Sequence, residues 1–175
     1  MTIRTFQGHT PKIAASAFVD ATALVIGDVT IGEDSSLWPM VVARGDVHSI
    51  VIGSRTNIQD GSILHVTHDS KYSPGGAQLR IGNGVTAGHR VILHGCTVGD
   101  FCLIGMAATV MDGAVLGDRT IIGAGSLVPG DKQLEGGYLY VGAPVKQVRA
   151  LRADELEYLE YSAAHYVSLK DRHRA

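Results

Sequence analysis

Aliphatic residues recur along this chain at a spacing that fits neither a helix nor a simple strand. From Val19 the apolar positions step by six, to Val25, Ile31 and Leu37. After a break over Ala43 to Val51 the step returns at Ile52, Ile58 and Leu64. A second break, roughly Thr67 to Arg80, is rich in Ser, Pro and Gly and reads as a loop. Ile81, Ala87 and Leu93 follow, and one step of five leads to Val98. The six-residue step then runs through Ile104, Val110, Leu116 and Ile122 to Val128. Glycine often stands directly after the aliphatic residue, as in Ile31-Gly32, Ile52-Gly53 and Ile81-Gly82. A helix repeats about every 3.6 residues and a half-buried strand about every 2, so neither produces this step. Hexapeptide repeats mark a parallel β-helix. Each repeat makes one short strand and a bend, three repeats close a triangular coil, and the aliphatic residues stack inward. Glycine beside them suits bends where a side chain would collide or φ turns positive. The competing reading is a β-sandwich with glycine-rich turns, and the near-regular steps argue against it.

The expected fold is therefore all-β with a C-terminal helix: a left-handed parallel β-helix over residues 11–145 and an α-helix over 152–171, in one domain spanning 1–175. Residues 1–10 have no clear period and read as an N-terminal arm. The rhythm is expected to stop after Pro129, with Gly142-Ala143-Pro144 ending the extended part. Ala153 to Lys170 lacks glycine and proline, and Leu156, Leu159, Ala163 and Tyr166 fall at helical spacing. The apolar side of this helix is expected on the β-helix flank or on a neighbouring subunit.

Composition narrows the function classes. The chain is 45% hydrophobic and 18% charged with 22 glycines, which supports an ordered core, and at 6% aromatics that core must be aliphatic. A net charge of -2 and the lack of a basic run argue against a nucleic-acid partner. No apolar run is long enough to span a membrane, and the N-terminus lacks a signal-like layout. Cys96 and Cys102 fit free thiols in a reducing cytoplasm, the alternative being a pair or a redox role.

The repeat register turns three histidines into candidate chemistry. Leu64 and Leu93 open the same face of adjacent coils, so His65 and His94 should stack at about 4.8 Å. Two imidazoles so placed can converge on one ion, with Zn–N near ~2.0–2.1 Å. Arg44 follows Ala43 and belongs to the same column, and Gln59 has the same offset after Ile58. His89 lies on another face, five residues from His94, a path of roughly 16 Å if extended. One chain would struggle to bring it to the same ion. A trimer of parallel prisms solves this, because one corner meets a different corner of the next subunit and the contact closes as a ring. The alternative is three separate surface or bend histidines.

The repeats, together with Arg44-Gly45-Asp46, Asn57, Gln59-Asp60, His65, His89 and Leu93-His94-Gly95, resemble the γ-class carbonic anhydrases and their bacterial relatives. The resemblance covers nearly the whole chain, including Tyr161-Ser162-Ala163 in the C-terminal helix. It implies a homotrimer with zinc, or iron, bound at each subunit interface by His65, His89 and His94. It implies that Gln59 orients metal-bound water with Asn57 near it, and that Arg44 and Asp60 pair across the boundary with support from Asp46. Three histidines with an open fourth position are a catalytic zinc pattern. Zinc brings the pKa of bound water to around 7, and the hydroxide can attack carbon dioxide to give bicarbonate. Val47 stands where the prototype has a glutamate, and the loop after His65 offers His68 and Asp69 in place of a proton-shuttling glutamate. His68, with an unperturbed pKa near ~6.5, can take that function, or be a plain loop residue. Tyr161 is expected to approach the metal from the helix or simply to pack. The competing functions are an acyltransferase or thioesterase acting on coenzyme A thioesters, and a non-catalytic trimer stapled by metal.

Overall fold

The computed structural model describes residues 2–174. It is a parallel β-solenoid of three faces with one C-terminal helix, α1, over Ala153–Arg174. The first face stacks Phe18–Val19, Ser36–Leu37, Asn57–Ile58, Thr86–Ala87, Leu103–Ile104 and Ile121–Ile122 in parallel. The second carries Ile63–His65, Ile92–His94, Thr109–Val110 and Leu127–Val128 above the N-terminal halves of Leu24–Ile31 and Val42–Ile52. The third carries the C-terminal halves of those two strands, then Leu79–Ile81, Thr97–Val98, Val115–Leu116 and Gln133–Leu134.

The residues chosen by the six-residue step are the ones inside. Leu37, Ile58, Leu64, Leu93, Ile104 and Ile122 have no exposed surface. Each such side chain contributes roughly 1.5–3 kcal/mol by leaving water. In-register stacking also gives each strand's backbone a partner in the next coil, which is why two-residue strands suffice. The structure decides between the two roles open to the repeat glycines. A Cβ on Gly105 would lie 2.5 Å from the amide nitrogen of Ala124 in the next coil. Collision is therefore the reason, while left-handed φ falls at other bend residues such as Arg55, Arg90 and Ala107.

Several boundaries differ from expectation. The rhythm continues past Pro129, because Leu134 and Tyr140 keep the six-residue step and are buried. The N-terminal arm is not free of structure, since Ile3–Arg4 pairs in parallel with Val25 and Ile26. Extended chain persists beyond Pro144: Val145–Ala150 returns antiparallel along Tyr138–Gly142. That hairpin pairs the strand edge that would otherwise end the first face. The break over Ala43 to Val51 is one continuous strand, Val42–Ile52, with a bulge opposite Gly27 to Val29. The second break is a projecting loop pinched by the bridges Thr67–Ala77 and Ser70–Ser73. All departures from the period, Ala43 to Ile52, Leu64 to Ile81 and Leu93 to Val98, fall at the edge between the second and third faces.

The three outer surfaces differ in kind. Helix α1 covers the first. Its Leu159, Ser162 and Ala163 are buried, Ser162 hydrogen-bonds Thr86 at 2.9 Å, and Lys170 reaches Asp34 at 3.0 Å. Trp38 packs edge-on against Tyr166 and His173 of the helix. The third face is largely polar outside, with Lys12, Thr30, Arg80, Thr97 and Gln133. The second turns Val42, Ile63, Ile92, Thr109 and Leu127 outward in register, a mostly apolar column in which Ile63 is 45% exposed. Among the described residues no helix is long and apolar enough to cross a membrane.

Gly105→Ala should lower the thermal midpoint clearly, because the stacked coil cannot yield without losing backbone pairing; a cost of about 1–3 kcal/mol is expected. An unchanged midpoint in a melting experiment would refute the collision argument.

Candidate metal centre

The edge between the second and third faces gathers one group of polar side chains. His65 and His94 are register partners on adjacent coils, as the repeat requires, with ring centroids 5.0 Å apart. Each ring is held by a carboxylate. His65 Nε2 donates to Asp46 Oδ1 at 3.1 Å, and His94 Nδ1 donates to Asp112 Oδ1. These bonds assign the tautomers, since an ionised carboxylate only accepts. The nitrogens left over, His65 Nδ1 and His94 Nε2, face each other at 3.0 Å. In two neutral rings both carry lone pairs, and their repulsion is relieved only by something positive between them. Two nitrogens on one tetrahedral zinc would stand roughly 3.3 Å apart. The pair thus fits a metal's requirements in separation and protonation, with carboxylates behind it that orient the ligands.

The electrostatics agree. Burial pushes the His65 pKa below its ordinary value, and the positive charge of Arg44 and the neighbouring His94 add to this against the pull of Asp46. A neutral imidazole is the ligating form. Burial alone would raise Asp46, but hydrogen bonds from Arg44 and His65 outweigh it and hold it below the usual carboxylate range. Asp112 behaves likewise, lowered against burial by His94 and by Thr67, whose hydroxyl donates at 2.6 Å. Both carboxylates stay charged at neutral pH.

Asp112 escaped the sequence reading. Val110 stacks on Leu93, so Met111 continues the histidine column and Asp112 lies one residue beyond it. The available signal was an acidic residue one coil above His94, at an offset that the column itself does not share.

The opposite edge of the second face holds the other candidates. His89 Nδ1 donates to Asp60 Oδ2 at 3.0 Å, which leaves Nε2 as an acceptor at a half-exposed edge. Gln59 Nε2 donates to Asn57 Oδ1 at 3.1 Å, and Asn57 Nδ2 donates to Thr86 Oγ1 at 3.0 Å. Gln59 and Asn57 are both buried, so this chain fixes the amide. His89 does not reach His65 or His94 within one chain. Among the described residues no three His, Cys, Asp or Glu side chains converge as metal ligands.

The remaining candidates lie as follows. Arg44 donates to Asp46 at 2.6 Å, so within the chain its partner is Asp46 while Asp60 is held by His89. His68 is exposed and lines a cavity of about 570 Å³ with Asp46, Val47, His48 and His9. Asp69 is engaged inside the projecting loop, accepting from the Gly75 amide at 2.7 Å. Tyr161 is 60% exposed and stacks on His165; the helix tyrosine that meets Gln59 is Tyr166. Cys96 and Cys102 are buried and unpaired, and burial pushes both thiols up to about 12. Neither is a nucleophile at neutral pH.

Comparison with known proteins places this geometry in context. Residues 95–130 match the family model described as bacterial transferase hexapeptide (six repeats). The chain is 53% identical to Protein YrdA of Escherichia coli (strain K12), over 97% of this chain and 92% of that one. It is 44% identical to a carbonic anhydrase of Geobacillus kaustophilus, over 93% of this chain and 85% of the relative. The crystal structure of a hexapeptide transferase family protein from Anaplasma phagocytophilum superposes with a TM-score of 0.89 at 38% identity, covering 96% of this chain and 95% of that one.

Asp112→Asn keeps shape and removes charge. It should weaken zinc binding about 10- to 100-fold, the usual effect of losing a carboxylate behind a ligating histidine. Competition titration with a chelating dye reads this directly, and an affinity equal to wild type would remove Asp112 from the site.

Proposed function

Because this chain belongs to the hexapeptide-repeat family of γ-carbonic-anhydrase-like proteins, we propose that it is a metal-dependent enzyme that hydrates carbon dioxide reversibly at sites shared between the subunits of a homotrimer. The observation that carries this reading is the pair of half-sites flanking one mostly apolar face. His65 and His94, with carboxylates behind them, stand at one edge; His89 and Gln59 stand at the other. Between them run the outward Val42, Ile63, Ile92 and Leu127, whose burial would drive association. A threefold ring sets one edge against the other edge of the next subunit. In that ring His89 of one subunit completes the pair His65 and His94 of another, and Arg44 comes within reach of Asp60.

Zinc is the metal proposed, with iron as the alternative for an all-nitrogen ligand set of this kind. When bound, such a metal supplies Lewis acidity that makes water a nucleophile near neutral pH. The chain's own residues do the rest. Asp46 and Asp112 hold the imidazoles in the ligating tautomer. Gln59, pinned through Asn57 and Thr86, offers a neutral amide that orients an oxygen nucleophile without adding charge. His68, which lines the same cavity as Asp46, is the group we assign to pass a proton to solvent. Tyr161, exposed on α1, is assigned a contact with a neighbouring subunit rather than with Gln59. The two unpaired buried thiols favour the cytoplasm as the place of action. A structure described as a putative acetyltransferase, 40% identical, favours acyl transfer as the second reading, and that chemistry needs no metal at these histidines.

Metal analysis of anaerobically purified protein, combined with a hydration assay, tests the reading as a whole. Stoichiometric metal with turnover supports it; metal-free protein that turns over a thioester supports the second. The shared site has a sharper signature. His89→Ala and His94→Ala should each abolish metal binding. Trimers reassembled from an equal mixture of the two variants should recover about a quarter of the sites, because some interfaces then carry all three histidines. No recovery, with mixed trimers demonstrated by mass spectrometry, would sink the shared site.

The proton route has its own test. His68→Ala should lower turnover in weak buffer, within the roughly 10²–10⁴-fold range that a positioned proton-transfer group contributes, and keep its metal. Added imidazole should restore much of the loss. Equal rates for wild type and variant, both indifferent to buffer, would leave His68 as a loop residue.

A further inference from the structure

Each short strand of the solenoid is hydrogen-bonded to the coil above it and the coil below. A stack of that kind is close to one-dimensional, and its end coils open more easily than its middle. The N-terminal end is thinly supported, because Phe18–Val19 is the last strand of its sheet and only half-buried. Helix α1 breaks the one-dimensional pattern. Its 22 residues extend roughly 33 Å, enough to span the coils from Tyr138–Gly142 back to Phe18–Val19, a stack of roughly 29 Å. Along that length it meets the coils in turn, Glu160 on Arg119 at 2.9 Å, Ser162 on Thr86, and Tyr166 on Trp38.

The last turns of α1 close this path on the first two coils. Lys170 is 1% exposed, and its ammonium lies 3.0 Å from Asp34 Oδ1 and 2.5 Å from Asp171 Oδ1. The Asp34 amide donates to Ser16 Oγ at 3.0 Å, and Arg174 donates to the carbonyls of Ser16 at 2.8 Å and Ala15 at 3.0 Å. The network thus joins the helix to the first coil through Ser16 and to the second through Asp34. His173 stands edge-on to Trp38 beside it. An apolar helix face could slide along the flank by a turn, but a buried ammonium that loses its carboxylate is costly. Lys170 therefore fixes the register of the helix as well as its attachment.

We propose that α1 is a strap with a latch at its end: Lys170 on Asp34 and Arg174 on Ser16 and Ala15 tie the last element of the chain to the first coils, so that the solenoid opens as one unit instead of fraying from its N-terminal end. Tyr166 stands one helical turn before Lys170, so the latch also holds its contact with Gln59. Trp38 lies directly below Gln59 in the same column and packs on Tyr166 from that side. The test below reads no turnover, so the strap stands or falls separately from carbon dioxide hydration.

Two readouts on the full-length protein test it. Trp38 is the one tryptophan of the chain, so its fluorescence reports the latched end, while far-UV circular dichroism reports the whole solenoid. In wild type both should change in a single urea transition. Asp34→Asn keeps the shape of the side chain, and asparagine tolerates the left-handed φ of 56° at this position. In that variant the fluorescence transition should move to lower urea, ahead of the dichroism. Native-state hydrogen exchange should show the same locally: residues 18–37 should exchange at least about tenfold faster than in wild type, with residues 97–128 unchanged. Lys170→Met keeps the apolar stem and removes the ammonium, so it should loosen the same segment if the ion pair, and not packing alone, is the latch. Separate fluorescence and dichroism transitions in wild type would overturn the proposal, as would both variants exchanging over 18–37 at the wild-type rate.

Discussion

Coil-on-coil stacking of one inward aliphatic residue per strand is the constraint on which everything else in this protein depends. It holds residues in register through backbone bonds and through contact at the core, and a slip of one residue would turn the hydrophobic set outward. A fixed offset from an inward residue therefore becomes a column in space. Ile26, Arg44, His65 and His94 are one such column, and Gln59, Gly88, Gly105 and Gly123 are another. The first concentrates polar chemistry, and the second removes side chains. Both follow from the same repeat, read at the position just after the core residue.

The register also explains where irregularity is tolerated. Insertion within a strand would break stacking on both sides, whereas insertion at an edge adds a loop that projects. The extra residues all enter at the edge that carries His65 and His94. The long strand Val42–Ile52 brings Asp46 there, and the loop begun at Thr67 brings the hydroxyl that steadies Asp112. Departures from the repeat thus supply Asp46 and Thr67, while regular positions supply both imidazoles and Asp112. Regularity positions the ligands, and irregularity tunes them.

This division sets how far the chain could be read from its residues. Whatever the period governs was legible: the solenoid, the core set, the stacking of His65 on His94, and the helix, whose apolar side lies on the solenoid flank. What depends on side-chain direction at an edge was not. Asp112 sits one residue outside the histidine column, and only the bend carries its carboxylate back to His94. Arg44 turns to Asp46, two residues away, because a β-strand places both on the same side. Tyr166 rather than Tyr161 meets Gln59, since the helix rolls its Leu159, Ser162 and Ala163 side inward and leaves Tyr161 outside. The six-residue rhythm runs further than expected for a related reason. Pro129 occupies a bend, where a missing amide proton costs nothing in the ladder, so the period runs through it to Tyr140.

The placement of the two half-sites has a thermodynamic consequence. A single chain offers a metal two nitrogens, held 3.0 Å apart by carboxylates that stay charged. In the trimer proposed above, a third nitrogen arrives only with the neighbour. Ligands drawn from two subunits make metal binding and assembly reciprocal: whatever association adds to metal affinity, metal adds to association. The apolar column of Val42, Ile63 and Ile92 supplies part of the association energy without metal, so the histidines need not carry all of it. On the proposed function, a lone subunit would lack a complete site, because its Gln59 edge and its His65–His94 edge lie on opposite sides of one face. On that proposal assembly would create the catalytic site, and the carboxylates behind His65 and His94 would bring each subunit to its neighbour with both imidazoles already in the ligating form.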